Sequence, residues 1–420
     1  MTRGIRLFGP WALLALLMLG LPTLFDSSFA LTVLSLMGVF IIFSCAYNML
    51  LGQGGLLSFG HAVYFGIAGY CTIHLINAVE DEAIWFPLTL LPLIGGLVGL
   101  VLGVLIGFVS TRRAGTTFAM ISLGFGELFT AMTLVLLTFF NGEDGVQGNR
   151  VYEPRPLGIS FGPEIEVYYL IAIWTFIATA AMYALTRTPF GRVSNAVRDN
   201  PERLEFIGYS THRVRWLAFA LSSFFAGLAG ALHAINYEHV GFETVGVQTS
   251  GLVLFMTYIG GIGSFLGPIV GAVLISYLNA SLSDLTEAWF LYLGLVFVLT
   301  VMFAPAGLAG LITMHEPLMR VDRSLLRRLA LPYLAAIATT LLIAAGAIGL
   351  IEMVYHLTSD LAFDSKTTVF WIELDTEAPW PWIGFAVLLG AGLLAARRTY
   401  PQVSRIWDAT VAEARARLLG

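Results

Sequence analysis

The chain has 420 residues, of which 57% are hydrophobic and only 12% charged, with a mean hydropathy of +0.82; this excludes an ordinary soluble domain and indicates a polytopic membrane protein. The net charge of −5 comes from a basic set of 21 arginines and the lone Lys366, with no basic patch interleaved with exposed aromatics of the kind that binds nucleic acid. Cys45 and Cys71 both lie in apolar segments, which excludes a disulfide framework and leaves no metal-ligand cluster.

Residues 1–25 have the basic head and apolar run of a signal peptide, but no small-residue cleavage site follows, so they read as a retained first span. Taken in order, the candidate spans are 11–25, 30–50, 55–77, 86–110, 116–140, 168–186, 216–236, 249–263, 266–281, 288–305, 330–351 and 381–396. Each approaches the roughly 20 apolar residues that a crossing helix needs. Gly52, Gln53, Gly54 and Gly55 precede the third span and permit an interrupted helix whose free backbone groups line a substrate cavity, or a plain packed break. Gly66 and Gly69, one turn apart, suit close helix packing. Glu127 is the one acid deep within a span, a costly position that marks either a substrate or partner contact or a structural hydrogen bond. His61 and His233 read as satisfied core residues. The 141–168 loop, with its Asn-Gly, Gly and Pro content, reads as an exposed outer turn. Gly260-Gly261-Ile262-Gly263-Ser264 and Pro268 split the long apolar run 249–281 into two spans.

The polar loop 187–215 carries six arginines (187, 192, 198, 203, 213 and 215) against Asp199, Glu202 and Glu205. Within it Asn200 is an N-cap, Pro201 suits the first helical position, Glu202 complements the positive helix end and Gly208 closes the C-terminus. A capped surface helix in an arginine-rich inner loop reads as a docking element. With the N-terminus inside, Arg3, Arg6, Arg112, Arg113, these six, four at 320–328 and five from 397 onward all fall on the inner side, and only Arg150 and Arg155 fall outside. Both termini are then cytoplasmic. The outer loops are acidic, with Glu80-Asp81-Glu82, then Glu143, Asp144, Glu153, Glu164 and Glu166, then Asp360, Asp364, Glu373, Asp375 and Glu377. The final stretch 402–419 reads either as an amphipathic helix on anionic lipid or as a solvated tail. No Walker phosphate loop, metal cluster or activated nucleophile is present in the sequence, so no catalytic residue and no cofactor are assigned.

The segments NMLLGQGGLLSFGHAVYFGIAGY (48–70), ISLGFGELF (121–129), GRVSNAVRDNPERLEFIGYSTHRVRWLAF (191–219), YIGGIGSFLGPIVGAVL (258–274) and MFAPAGLAGL (302–311) resemble the LivM-type membrane subunit of branched-chain amino-acid ABC importers. The resemblance covers about residues 30–311 and implies an all-α permease of about ten core transmembrane helices. It implies a coupling helix carried by Asn200, Pro201, Glu202, Arg203, Glu205 and Gly208. It also implies a translocation path for which Gly52, Gln53, Gly54, Gly55, Glu127, Gly260 and Gly261 are candidates. The partners it implies are two cytoplasmic ABC ATPases, a second related permease in a heterodimer, an extracytoplasmic substrate-binding protein and membrane lipid, in a bacterial inner membrane. Branched-chain or other hydrophobic amino acids are the first substrate reading. Urea, short amides and aromatic carboxylates remain open within the family, and a secondary ion-coupled transporter is the alternative from another class. The expected organisation is a permease domain at 1–311, a cytoplasmic linker at 312–329, and an extension at 330–420 with two further spans, an outer loop holding Trp371, Trp380 and Trp382, and a basic tail.

Overall fold

A computed structural model describes residues 2–151, 160–304, 306–321, 323–358 and 366–419. Glu153, Arg155, Asp360 and Asp364, assigned above to outer loops, lie outside them. In chain order the elements are α1 (Thr2–Leu24), α2 (Ser28–Asn48) running into a π-helical turn (Met49–Gln53), α3 (Ala62–Glu80), α4 (Leu91–Ser110), α5 (Thr116–Val135), a single turn α6 (Leu137–Phe140) and β1 (Val146–Gln147). There follow α7 (Glu164–Arg187), α8 (Pro189–Asp199), α9 (Pro201–Phe206), α10 (Thr211–Tyr237), β2 (His239–Val240), α11 (Val247–Gly260), α12 (Leu266–Leu285), α13 (Trp289–Phe303) and α14 (Gly307–Val321). The chain closes with α15 (Arg323–Thr358), the hairpin β3 (Lys366–Val369) and β4 (Ile372–Asp375), and α16 (Pro379–Leu419). Nine helices among the described residues are long and apolar enough to cross a membrane; a bent pair, α13 with α14, and two shorter apolar helices, Trp11–Leu24 and α11, coincide with the remaining expected spans. The protein is an all-α polytopic membrane protein.

The chain divides into two compact units, Met1–Ser281 with Leu295–Gly310, and Leu282–Gly294 with Leu311–Gly420. In the first, α10 is the central rod and is mostly buried. It packs on α2, α3 and α4. In lipid no hydrophobic force draws helices together, so close backbone approach must do it. α4 supplies that with Gly95, Gly99, Gly103 and Gly107, one per turn against α10. A Cβ at Gly95 would come 2.5 Å from Ala231, and one at Gly103 2.5 Å from Ser223. Gly66 likewise leaves no room, its Cβ position lying 2.5 Å from Val245. The outer faces of α4 and α5 stay open, with most of each helix uncovered.

In the second unit α15 and α16 run antiparallel. The small residues Gly346 and Gly392 let their backbones meet opposite Leu389 and Ile343. Both helices, at 36 and 41 residues, exceed the roughly 20 that span the hydrocarbon core. Residues 402–419 therefore do not form a separate surface helix but continue α16. Leu318, Leu329 and Ala414 form a buried cluster there with Tyr333, Trp407 and Val411 packed on it, and Arg328 bonds Glu413 at 2.8 Å. At the other end of α15, Glu352 accepts hydrogen bonds from Thr286 (2.8 Å) and Tyr292 (2.6 Å).

Candidate functional site

The 187–215 loop folds as two short helices between α7 and α10. Thr188 caps α8 by accepting from the Gly191 N–H, and Pro189 starts it. Asn200, extended at φ −156°, ends α8 and caps α9, its side-chain oxygen accepting from the Arg203 N–H at 2.9 Å. Pro201 occupies the first turn of α9. At its far end the Gly208 N–H donates to the Glu205 carbonyl (3.0 Å) and the Tyr209 N–H to the Leu204 carbonyl (3.2 Å), with Gly208 at φ +90°. This paired arrangement closes a helix and favours glycine at that position. Leu204 anchors α9 in a small core with Val197 and Val214, and the Thr211 hydroxyl donates to Glu205 at 2.7 Å, tying α9 to α10. Glu202 and Arg203 are exposed. The tip is apolar yet uncovered: Phe206 is 90% exposed and Ile207 66%.

Arg198, at the end of α8, reaches away from this tip. Its Nη1 donates to the Gly52 carbonyl in the π-helical turn, and its Nε donates to Asp199 at 2.9 Å. Gly55, at φ +66°, lies against the same side chain, where a Cβ would stand 2.9 Å from Arg198 Cγ. The 187–215 loop is thus joined directly to the point where α2 breaks. Gly52 and Gly54 are buried and Gln53 half-buried.

After the break, residues 54–61 run without helix through the packed core, a path tolerated at such depth only where side chains satisfy the backbone. Tyr47 donates to the Ser58 carbonyl (2.7 Å), the Phe59 N–H donates to Ser122 (3.0 Å), and the Ala62 N–H donates to Ser250 (3.0 Å). Ser222 spends its one proton on the Ala46 carbonyl at 2.7 Å. The His61 Nε2, 2.9 Å from the same hydroxyl, must therefore be the donor in that contact. His61 is fully buried and stacks near Phe43.

Glu127 is exposed on the open face of α5. Gly260 and Gly261 are buried at a tight crossing of α11, α12 and the start of α14, where a Cβ on Gly261 would stand 2.5 Å from the Ala306 carbonyl. The structure thus joins the 187–215 loop to the Gly52–Gly55 break, and holds Glu127 on α5, whose Ser122 and Gly126 pack on Phe59 and Gly60 just after that break.

Sequence reasoning missed Arg198 as a connector, the three serines that hold segment 54–61, and Arg150. The signal for Arg150 was present, since it breaks the inner-side arginine bias. Its side chain is 10% exposed and donates to the carbonyls of Phe161 (2.8 Å), Asn236 (2.9 Å) and Ile235 (3.3 Å), while its backbone N–H donates to Glu238 at 2.7 Å. It fastens the chain at residues 150 and 161–162 to the end of α10, filling helix-terminal carbonyls that have no partner within the helix. Val146 and Gln147 complete the fastening by pairing with Val240 and His239.

The family described as "Branched-chain amino acid transport system / permease component" matches residues 29–313. The chain is 29% identical over 293 residues to the high-affinity branched-chain amino acid transport system permease protein LivM of Salmonella typhimurium, covering 64% of this chain and 67% of that protein. It is 28% identical, with the same coverage, to the protein of that name from Escherichia coli. The autoinducer 2 import system permease protein LsrC of Photorhabdus laumondii is 27% identical over 285 residues, covering 64% of this chain and 80% of that protein. No solved structure matches the chain.

Proposed function

The chain belongs to the family of branched-chain amino acid transport system permease components, and from that premise we propose that it is one membrane half of an ATP-driven importer. The observation that carries the reading is the docking tip: a helix capped at both ends whose apolar Phe206, Ile207 and Tyr209 are held out uncovered by Leu204 and the Glu205–Thr211 bond. On this reading Asn200 through Gly208 are the coupling helix, seated on a partner ATPase. Closing of the ATPase pair moves α9. Arg198 passes that motion to Gly52, where α2 changes winding, and Thr211 passes it to α10. Tilting of these helices opens the path alternately to either side of a bacterial inner membrane, both termini lying on the ATPase side.

The path runs along the open face of α5 that bears Glu127, at the junction with a second, related permease. A carboxylate on an uncovered mid-span face needs water, a ligand or a partner. Gly52, Gln53, Gly54 and Gly55 form its movable inner end, while Gly260 and Gly261 hold the helices behind it close enough to tilt together. The outer loop fastened by Arg150 receives an extracytoplasmic binding protein. Residues 1–311 form the transporting domain, 312–329 link it inside, and 330–420 are an appended helical pair. The work is transport, with ATP hydrolysed in partner subunits.

Leucine, isoleucine, valine or a similar hydrophobic amino acid is the substrate that the two LivM relatives favour. A small polar substrate is the second reading, favoured by the autoinducer 2 permease relative. Uptake of labelled leucine and of labelled autoinducer 2 into proteoliposomes holding the co-purified complex separates the two. ATP-dependent accumulation of leucine alone supports the first, and accumulation of autoinducer 2 alone replaces it with the second.

A further inference from the structure

Beside the α2 break lies a polar cavity of about 400 Å³ whose walls come from the end of α2, the α7–α8 junction and the turn after α11. Three arginines line it, Arg187, Arg192 and Arg198, together with Asn195, Tyr183 and Ser264. Their charge is poorly balanced. Arg198 shares Asp199, the one carboxylate bonded to any of the three among the described residues. Arg187 bonds only the neutral Tyr183 hydroxyl, at 2.6 Å, with its guanidinium 4.9 Å over that ring. The Arg192 side chain makes no hydrogen bond or ion pair among the described residues. Concave, arginine-rich and lined by neutral polar groups, the cavity is built for an anion.

The number of donors selects among anions. A carboxylate accepts one guanidinium fork well, whereas a phosphate offers oxygens in several directions and takes several forks at once. The cavity also lies at the last turn of the apolar helix α7, and basic pockets between crossing helices at that level hold phosphate head groups. We propose that Arg187, Arg192 and Arg198 form a binding site for a phosphate-bearing anion, drawn from an anionic phospholipid head group or from free phosphate. An anion seated there engages the same Arg198 that bonds the Gly52 carbonyl, so occupancy bears on the joint between docking loop and α2.

The test uses the full-length chain in nanodiscs without ATP, so that it does not depend on transport. Retention of spin-labelled phosphatidylglycerol over spin-labelled phosphatidylcholine is compared between the native chain and an R187Q/R192Q variant, with R213Q as a loop arginine outside the cavity. Inorganic phosphate is then titrated against the native chain and the same variants in phosphatidylcholine nanodiscs. Selective retention that falls about fivefold per arginine removed, is spared by R213Q and is partly restored by R187K/R192K supports the site with lipid as its source. Phosphate binding that shows the same pattern supports it with a soluble source. The proposal is overturned if the size-exclusion profile of R187Q/R192Q matches the native chain and neither probe distinguishes the two. It is equally overturned if R213Q loses as much as the cavity variant.

Discussion

Gly208 stands at φ +90° with open space where a side chain would point, so two consequences of replacing it separate cleanly. A Cβ there costs about 1 kcal/mol from the backbone conformation alone, too little to unfold the chain. A bulky side chain would instead fill the space that a docked partner needs. Gly208→Trp is therefore expected to insert in the membrane normally and to abolish transport, and Gly208→Ala to keep most of it; immunoblots of membranes beside uptake rates check both. Arg198→Ala removes the joint to Gly52 while leaving the docking tip intact. It should lower transport roughly tenfold with ATPase subunits still co-purifying; loss of those subunits instead would assign Arg198 to docking. Glu127→Gln removes a charge from the open face of α5. If Glu127 meets the substrate ammonium, KM for the amino acid should rise at least about tenfold with subunit assembly unchanged; loss of assembly with unchanged KM would make it a partner contact.

The short helix α9 was readable in the sequence because its signals are local: Asn200, Pro201 and Gly208 each act within a few residues. The apolar spans were readable for the same reason. Contacts across many residues were not. Nothing near Ser122, Ser222 or Ser250 in the chain says that each satisfies the backbone of residues 46–62, since serine in a crossing helix usually bonds its own preceding turn. The glycine file of α4 went unread for the same reason, since its partner on α10 lies more than a hundred residues away. Arg150 is the exception to the expected inner-side placement of arginines, and its side chain is buried against the Ile235 and Asn236 carbonyls. α10 thus carries a fixed attachment at each end, Glu205–Thr211 at one and Arg150 at the other, over 27 residues or roughly 40 Å. Arg150→Ala should cost about 2 kcal/mol of local stability. It should speed hydrogen exchange in residues 145–151 and the last turn of α10 and leave exchange in α9 unchanged. Equal acceleration in α9 would show instead that the whole rod has loosened.

At the scale of the molecule, the family match ends at residue 313, and much of the second unit follows it. Its long helices were visible as two apolar runs, but their length was not, because 402–419 reads either as a separate amphipathic helix or as a solvated tail, whereas it continues α16 and packs on Leu318 and Leu329. The central claim concerns the first unit: that this chain is half of a pore driven from outside itself, through the loop that carries α9. Purifying the tagged chain from its own host in mild detergent, beside a Gly208→Trp variant, tests it most directly. The account predicts that two ATPases bearing phosphate-binding loops and a second, related permease accompany the native chain, and that the ATPases are lost from the variant. Recovery of the native chain by itself, as an oligomer that transports without ATP, would contradict it.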